Sequence, residues 1–192
     1  MSKRNRHRAL VILLVAVMVL GMASLGWLWY DRYERTLYPL AYEEIIIQMS
    51  EQYDVTPSLI AAVICVESHF IADAKSHADA LGLMQLTPRT FTWLQSRDGL
   101  EQTYDAAALY EPAVNIRYGT LNLKLMHEMF VDPTAALAAY NAGQGTVKKW
   151  LADKRYSADG VYLTTIPYEE TATYVKRVKN AQTIYRKRYH LE

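Results

Sequence analysis

The hydrophobic pattern divides the chain near residue 30. Residues 9–30, "ALVILLVAVMVLGMASLGWLWY", are 22 consecutive positions without a charge, and about 20 such residues cross a bilayer as a helix. Beyond them the apolar positions recur three and four apart, the spacing of a helix with one buried face, and strand-like alternation is nowhere sustained. This spacing predicts a helix from Leu40 to Tyr53. A second helix follows in "TPSLIAAVICVES", with Thr56 as N-cap and Pro57 in the first turn, where proline's missing N–H costs nothing. The same start recurs at Thr87 and Pro88 in "TPRTFTWLQS". Pro112 opens a long helix, Asp132 and Pro133 open "TAALAAYNA", which stops at Gly143, and "TVKKWLAD" is a short one. "YEETATYVKRVKNAQTIYRKRY" is the last. The expected fold class is all-α, a compact helical domain behind an N-terminal transmembrane helix.

Charge sharpens the division. Lys3, Arg4, Arg6 and Arg8 precede the apolar stretch. A basic flank of this kind predicts a cytoplasmic N-terminus, with Trp27, Trp29 and Tyr30 at the outer interface. The expected organisation is a basic cytoplasmic tail over 1–8, a transmembrane signal anchor over 9–30, a short stalk over 31–36 and the folded domain over 37–192. An extended stalk of six residues reaches about 20 Å at most. A cleaved signal peptide is the rival reading, but "GMASLGWLWY" offers only a weak small-x-small site before bulky aromatics. Both readings put residues 31–192 outside the cytoplasm.

All 20 acidic residues follow position 30, against 17 of the 21 Lys and Arg, so the outer part carries 17 − 20 = −3. That balance argues against a nucleic-acid partner. Cys65 is the only cysteine, so the core must hold the fold without disulfides. The five histidines, His7, His69, His77, His127 and His190, form no pair four apart, and Cys65 has no partner cysteine, so no metal site is expected. Nothing in the chain calls for a cofactor.

One residue breaks the apolar pattern. In "AAVICVESHF", Glu67 follows Ile60 by seven residues, Val63 by four and Ile64 by three, offsets that share a helical face. A carboxylate there costs several kcal/mol unless it is paired, hydrogen-bonded or kept protonated. No Lys or Arg lies three or four residues away to neutralise it. It is either a structural carboxyl bonded to backbone amides or a functional acid. A general acid must still hold its proton near neutral pH, and an apolar helix face is where desolvation raises a glutamate's pKa.

Three interruptions of the helical pattern complete the picture: "ALGLMQLTP" (80–88), "AAYNAGQG" (138–145) and "IPYEETATYV" (166–175). Taken singly they are a loop, a helix C-cap and a favourable charge–dipole arrangement at a helix start. Taken in order, "ES" at Glu67 and Ser68, "GLMQLTP", "AYNAG" and "IPxxETxxYV" resemble the catalytic domain of the Slt-type lytic transglycosylases, members of the lysozyme-like superfamily. The resemblance runs over about residues 37–189.

The resemblance implies that Glu67 is the sole catalytic acid and Ser68 a structural support. It implies that Ser76, Gln85, Tyr140 and Asn141 line the glycan groove, with the Tyr174 hydroxyl near the catalytic carboxyl. Thr87 departs from the pattern, standing where a methionine often precedes the proline. The implied substrate is peptidoglycan, cut between N-acetylmuramic acid and N-acetylglucosamine to leave 1,6-anhydromuramoyl ends without consuming water. Two other readings stay open. A muramidase would hydrolyse the same bond, with Asp73 or Asp79 as the nearby carboxylate that activates water. A non-catalytic wall-binding scaffold would dock on glycan strands within a cell-envelope assembly. The expected location is the cell membrane, held by a single pass, with the catalytic domain outside the cytoplasm.

Overall fold

The computed structural model describes residues 3–99 and 104–192, apart from the side chains of residue 3 and residues 5–9. The basic side chains read at Lys3, Arg6 and Arg8 therefore lie outside the described residues. The chain forms two compact units, Met1–Pro39 and Leu40–Glu192.

The first unit is one helix, α1 (Lys3–Leu37), of 35 residues, about 52 Å long at 1.5 Å per residue. Its stretch Leu10–Leu37 is, among the described residues, the one helix long and apolar enough to cross a membrane. Every side chain from position 10 to position 30 is exposed. The segment 31–36, expected as a stalk, is helical too. Tyr30 Oη donates to Glu34 (2.5 Å), Arg35 Nε donates to Asp31 (3.0 Å), and Trp29 stacks on Tyr33, so pairs four apart carry the helix past its apolar part. Six helical residues advance about 9 Å, less than half the reach of an extended stalk. Pro39 lies just past the helix end and supplies no N–H for a further turn.

The second unit contains α2 (Glu43–Tyr53), α3 (Pro57–Ser68), α4 (Pro88–Gln95), a 3-10 turn (Ala106–Tyr110) and α5 (Pro112–Met129). It continues with α6 (Pro133–Ala142), α7 (Gln144–Ala152) and α8 (Glu169–Tyr189). Among the described residues the only β pairing is two isolated bridges, Lys75 with Leu81 and Leu81 with Leu86. α2 starts three residues later than its apolar spacing predicts, because Tyr42 adopts a left-handed conformation (φ 58°) that a helix cannot contain. Proline occupies the first turn of α3, α4, α5 and α6, as the sequence indicates. Thr87 and Asp132 cap their helices by accepting from Thr90 N and Thr134 N. Thr56 does not cap; its hydroxyl instead accepts a bond from Gln182 Nε2 of α8 at 3.3 Å.

α3 runs through the middle of this unit. All residues from Ser58 to Cys65 are buried, with Ile60, Ala61, Ala62, Val63 and Ile64 at 0 % exposure. The apolar stripe read from the sequence is thus one side of a helix that is apolar on every side, the pattern of a wholly buried helix. α8 packs against it with Tyr174, Val175, Val178, Ala181 and Tyr185, while α2 contributes Ile46, Met49 and Tyr53. Each fully buried Ile, Val or Leu contributes about 1.5–3 kcal/mol. The burial is interrupted in the last turn of α3, where Val66 and Glu67 are only partly buried while Ser68 is buried again.

Candidate active site

Glu67 opens onto two adjoining cavities. One, of about 630 Å³, is lined by Ser76, His77, Gln85, Thr87, Tyr140 and Asn141 among others, and the other, of about 450 Å³, by Glu169, Thr173, Tyr174 and Arg177. Glu67, Asn141 and Glu170 border both. All six residues singled out in the sequence, Glu67, Ser76, Gln85, Tyr140, Asn141 and Tyr174, therefore meet at one cleft, although they span more than a hundred positions. A further cavity of about 550 Å³, lined by Tyr53, His127 and Lys179 among others, shares no residue with it.

The wall between α3 and α4 is a tight loop held by side chains from three helices. Leu81 and Leu86 exchange backbone bonds of 2.9 and 3.1 Å, and Gln85 N donates to Gly82 O at 3.2 Å. This turn places both Gly82 (φ 73°) and Gln85 (φ 49°) in the left-handed region. Gln85 offsets its strain with Nε2 bonds to Gly82 O (2.8 Å) and Ala74 O (3.2 Å). Ser68 Oγ donates to Leu83 O at 2.7 Å, and Tyr140 Oη donates to Met84 O at 2.8 Å. The wholly buried Asn115 of α5 makes three bonds: its Oδ1 accepts from Met84 N (2.7 Å), and its Nδ2 donates to Leu81 O (2.9 Å) and Leu109 O (2.7 Å). A Cβ at Gly82 would fall on Asn115 and Leu109 O, so glycine is required there for space as well as for its φ. Ser68 is the structural support its place beside Glu67 implies. Asn115 was not anticipated, since an asparagine inside a long helix carries no local signal of such a role.

Each remaining residue has a fixed place. Ser76 Oγ accepts from Ala78 N (3.2 Å) and Ala80 N (3.1 Å), which closes the turn that carries His77. Asn141 Oδ1 accepts from Thr171 Oγ1 at 2.8 Å, which orients its amide across the cleft. Thr87, in place of a methionine, pairs its hydroxyl with Thr90 at 2.9 Å, so this part of the wall is polar.

The electrostatics centre on Glu67. Burial against α3's apolar surroundings pushes its carboxyl up to about 7, with the Tyr174 hydroxyl and the Arg177 charge each opposing part of that rise. The Tyr174 hydroxyl is buried beside the carboxyl without a well-aligned hydrogen bond to it or to any other group among the described residues. Its pull on the carboxyl is still the larger of the two effects that oppose the rise. Burial also raises the Tyr140 and Tyr174 hydroxyls well above the usual range, with the Glu67 charge adding to both. Cys65, read as a core residue, is buried, and burial pushes its thiol up.

Two expectations about neighbouring carboxylates change. Neither Asp73 nor Asp79 lines the cleft, and Asp79 pairs with Lys75 at 3.0 Å on the surface. The carboxylates that do line it are Glu169 and Glu170, which the sequence presented only as first-turn charges of α8. Glu170, Tyr174 and Arg177 lie four and seven residues along α8 on one face, a spacing that would have marked them once Tyr174 was chosen. Of the two histidines flanking Glu67 in sequence, His77 borders the cleft and His69 does not.

A partly buried carboxyl at the open end of a buried helix, facing a polar cleft, defines a helical domain built around one protonatable acid. A family model of the transglycosylase SLT domain matches residues 44–162, and the chain belongs to that family. The soluble lytic murein transglycosylase of Salmonella typhimurium is 34% identical over 163 residues, covering 84% of this chain and 25% of the relative. Membrane-bound lytic murein transglycosylase C of Actinobacillus pleuropneumoniae is 36% identical over 165 residues, covering 75% of this chain and 45% of that one. Among solved structures, an inactive mutant of the lytic transglycosylase Slt of Pseudomonas aeruginosa superposes with a TM-score of 0.71 at 35% identity, covering 80% of this chain and 25% of that one. The 70 kDa soluble lytic transglycosylase of Escherichia coli gives 0.71 at 29%, covering 84% and 26%. The all-α, lysozyme-like architecture expected from the sequence is the one these structures share. The chain spans between a quarter and a half of the length of these relatives.

Proposed function

We propose that this protein is a peptidoglycan lytic transglycosylase, cutting the β-1,4 bond between N-acetylmuramic acid and N-acetylglucosamine. The observation that carries the reading is Glu67, a carboxyl whose pKa of about 7 leaves it half protonated at neutral pH and which opens directly onto a cleft. Its family membership and relatives named lytic murein transglycosylases support the same reading.

In this mechanism Glu67 gives its proton to the glycosidic oxygen as the bond from the muramic acid C1 breaks. The substrate's own N-acetyl group supports the anomeric carbon, in place of the second carboxylate that most glycosidases use. Carboxylate Glu67 then takes the proton from the 6-hydroxyl as O6 bonds to C1 and closes the 1,6-anhydro ring. The acid is regenerated, and no water is consumed. Ser76, Gln85, Tyr140 and Asn141 hold the sugars along the cleft, and Tyr174 and Arg177 govern the carboxyl. α1 attaches the protein to the membrane, as the name of the membrane-bound relative supports for that protein. The finer assignment is a single pass with the basic N-terminus inside and residues 37–192 outside.

Mass spectrometry of the soluble products from purified peptidoglycan tests the chemistry. The expected products are 1,6-anhydromuropeptides, one water lighter than lysozyme products. Reducing ends carrying oxygen from labelled water would instead establish a hydrolase, with Glu170 as the carboxylate in the cleft available to activate that water. Binding without cleavage would establish a scaffold.

A further inference from the structure

The cleft concentrates negative charge around the group that must lose a proton. Glu67 is faced from α8 by Glu169, Glu170, Tyr174 and Arg177, from α6 by Tyr140 and from the loop after α3 by His77; α5 contributes only the neutral Asn122. Among the described residues lining the two cavities, Arg177 is the only Lys or Arg. It stands one helical turn beyond Tyr174 in the smaller cavity that Glu67 also borders. It forms no ion pair with a carboxylate among the described residues, and the nearby Glu169 and Glu170 leave it unclaimed. An exposed arginine with no ion-pair partner among the described residues, bordering the same cavity as the reacting carboxyl from the helix packed against α3, is placed to act through its charge.

We propose that Arg177 is a positioning residue for the proton of Glu67: its charge stabilises the carboxylate left after proton delivery and so keeps the group acidic enough to protonate the glycosidic oxygen. The proposal rests on the transglycosylase reading. Desolvation alone makes Glu67 a weaker acid with every increment of burial, and a general acid works best when its pKa lies near the working pH. Tyr174 opposes that rise in pKa through its hydroxyl, the larger of the two opposing effects, but a neutral hydroxyl brings no charge to balance the carboxylate. A full charge on a long, solvated side chain adds to that opposition without having to touch substrate. The direction in which Arg177 acts on the carboxyl agrees with this.

The test uses full-length protein in detergent, labelled with carbon-13 at the glutamate side-chain carboxyls, with the Glu67 signal assigned by its loss in Glu67→Gln. In Arg177→Gln the Glu67 titration midpoint should move to higher pH, and in Arg177→Lys it should return toward the wild-type value. The alkaline fall of kcat/KM should move with it, and kcat should drop severalfold while KM holds. Arg177 is exposed, so neither variant should disturb the fold. An unmoved Glu67 midpoint overturns the proposal, most plainly if KM rises instead, since Arg177 would then be a contact for a substrate carboxylate. Cleavage by Glu67→Gln would overturn the transglycosylase mechanism itself, while the carboxyl titration would still report whether Arg177 acts on Glu67.

Discussion

At the scale of single residues, the burial that raises the Glu67 pKa sets a cost in stability against the catalytic role proposed for it. Its carboxyl titrates at about 7 in the folded protein against 4.5 when unperturbed. Between those values the folded chain binds a proton that the unfolded chain has released, so stability falls as pH rises through that window. The loss is complete above about pH 7 and amounts to about 3 kcal/mol at 1.36 kcal/mol per unit. Glu67→Gln removes the titration and keeps the shape. Its melting temperature should therefore exceed wild type at pH 8, and the gap should close near pH 4; an equal difference at both values would show that the carboxyl is not desolvated. The same variant should lose about 10²–10⁴-fold in cleavage rate, the range for a missing general acid–base. Glu67 was legible in the sequence because its surroundings on α3 are local: hydrophobic neighbours within seven residues advertise the cost of a charge. Arg177 and Glu170 were not, because their approach depends on the packing of α8 on α3, about a hundred residues further along the chain.

At the scale of elements, the helices were largely readable and the connections between them were not. Proline in the first turn and a cap residue before it are signals carried by adjacent positions, so α3, α4, α5 and α6 could be placed to within a residue or two. The turn over 81–86 and the 3-10 turn at Ala106–Tyr110 obey bonds that arrive from elsewhere. Ser68, Tyr140 and Asn115 come from α3, α6 and α5. Asn115→Ala should be the most damaging of the three single changes, since it strands the buried Met84 N–H and the Leu109 carbonyl and takes one of two bonds from Leu81 O. At about 1–3 kcal/mol for each unsatisfied group, the loss should reach several kcal/mol. Urea denaturation should register it as a lowered midpoint with the slope unchanged. Ser68→Ala should cost less, about 1–3 kcal/mol for the single Leu83 carbonyl left behind, and it should slow cleavage by loosening the wall that carries Gln85. Comparable effects from the two variants would mean that the loop is not organised around Asn115.

At the scale of the whole molecule, the cleft lies wholly within the second unit. Every residue lining the cleft lies between Val66 and Arg177, and none belongs to α1. If α1 is the membrane attachment proposed above, full-length protein should sediment with membranes and resist carbonate extraction. Protease outside the cytoplasmic membrane should digest the catalytic unit. Replacing α1 with a cleavable secretion signal should release an enzyme with unchanged products. Native protein recovered in the culture fluid, beginning between residues 23 and 30, would show that α1 is a cleaved leader.

The boundary between Pro39 and Leu40 has a consequence for descent as well. A gene broken there yields a piece with its own core and its complete cleft, ready to be joined behind any leader, anchor or companion domain in a single recombination. Relatives two to four times longer that share this region are the outcome such cutting and rejoining would leave behind. On the transglycosylase reading, selection can then choose where the domain is delivered by exchanging the segment before residue 40, and choose how it cuts by editing the helices and loops beyond it.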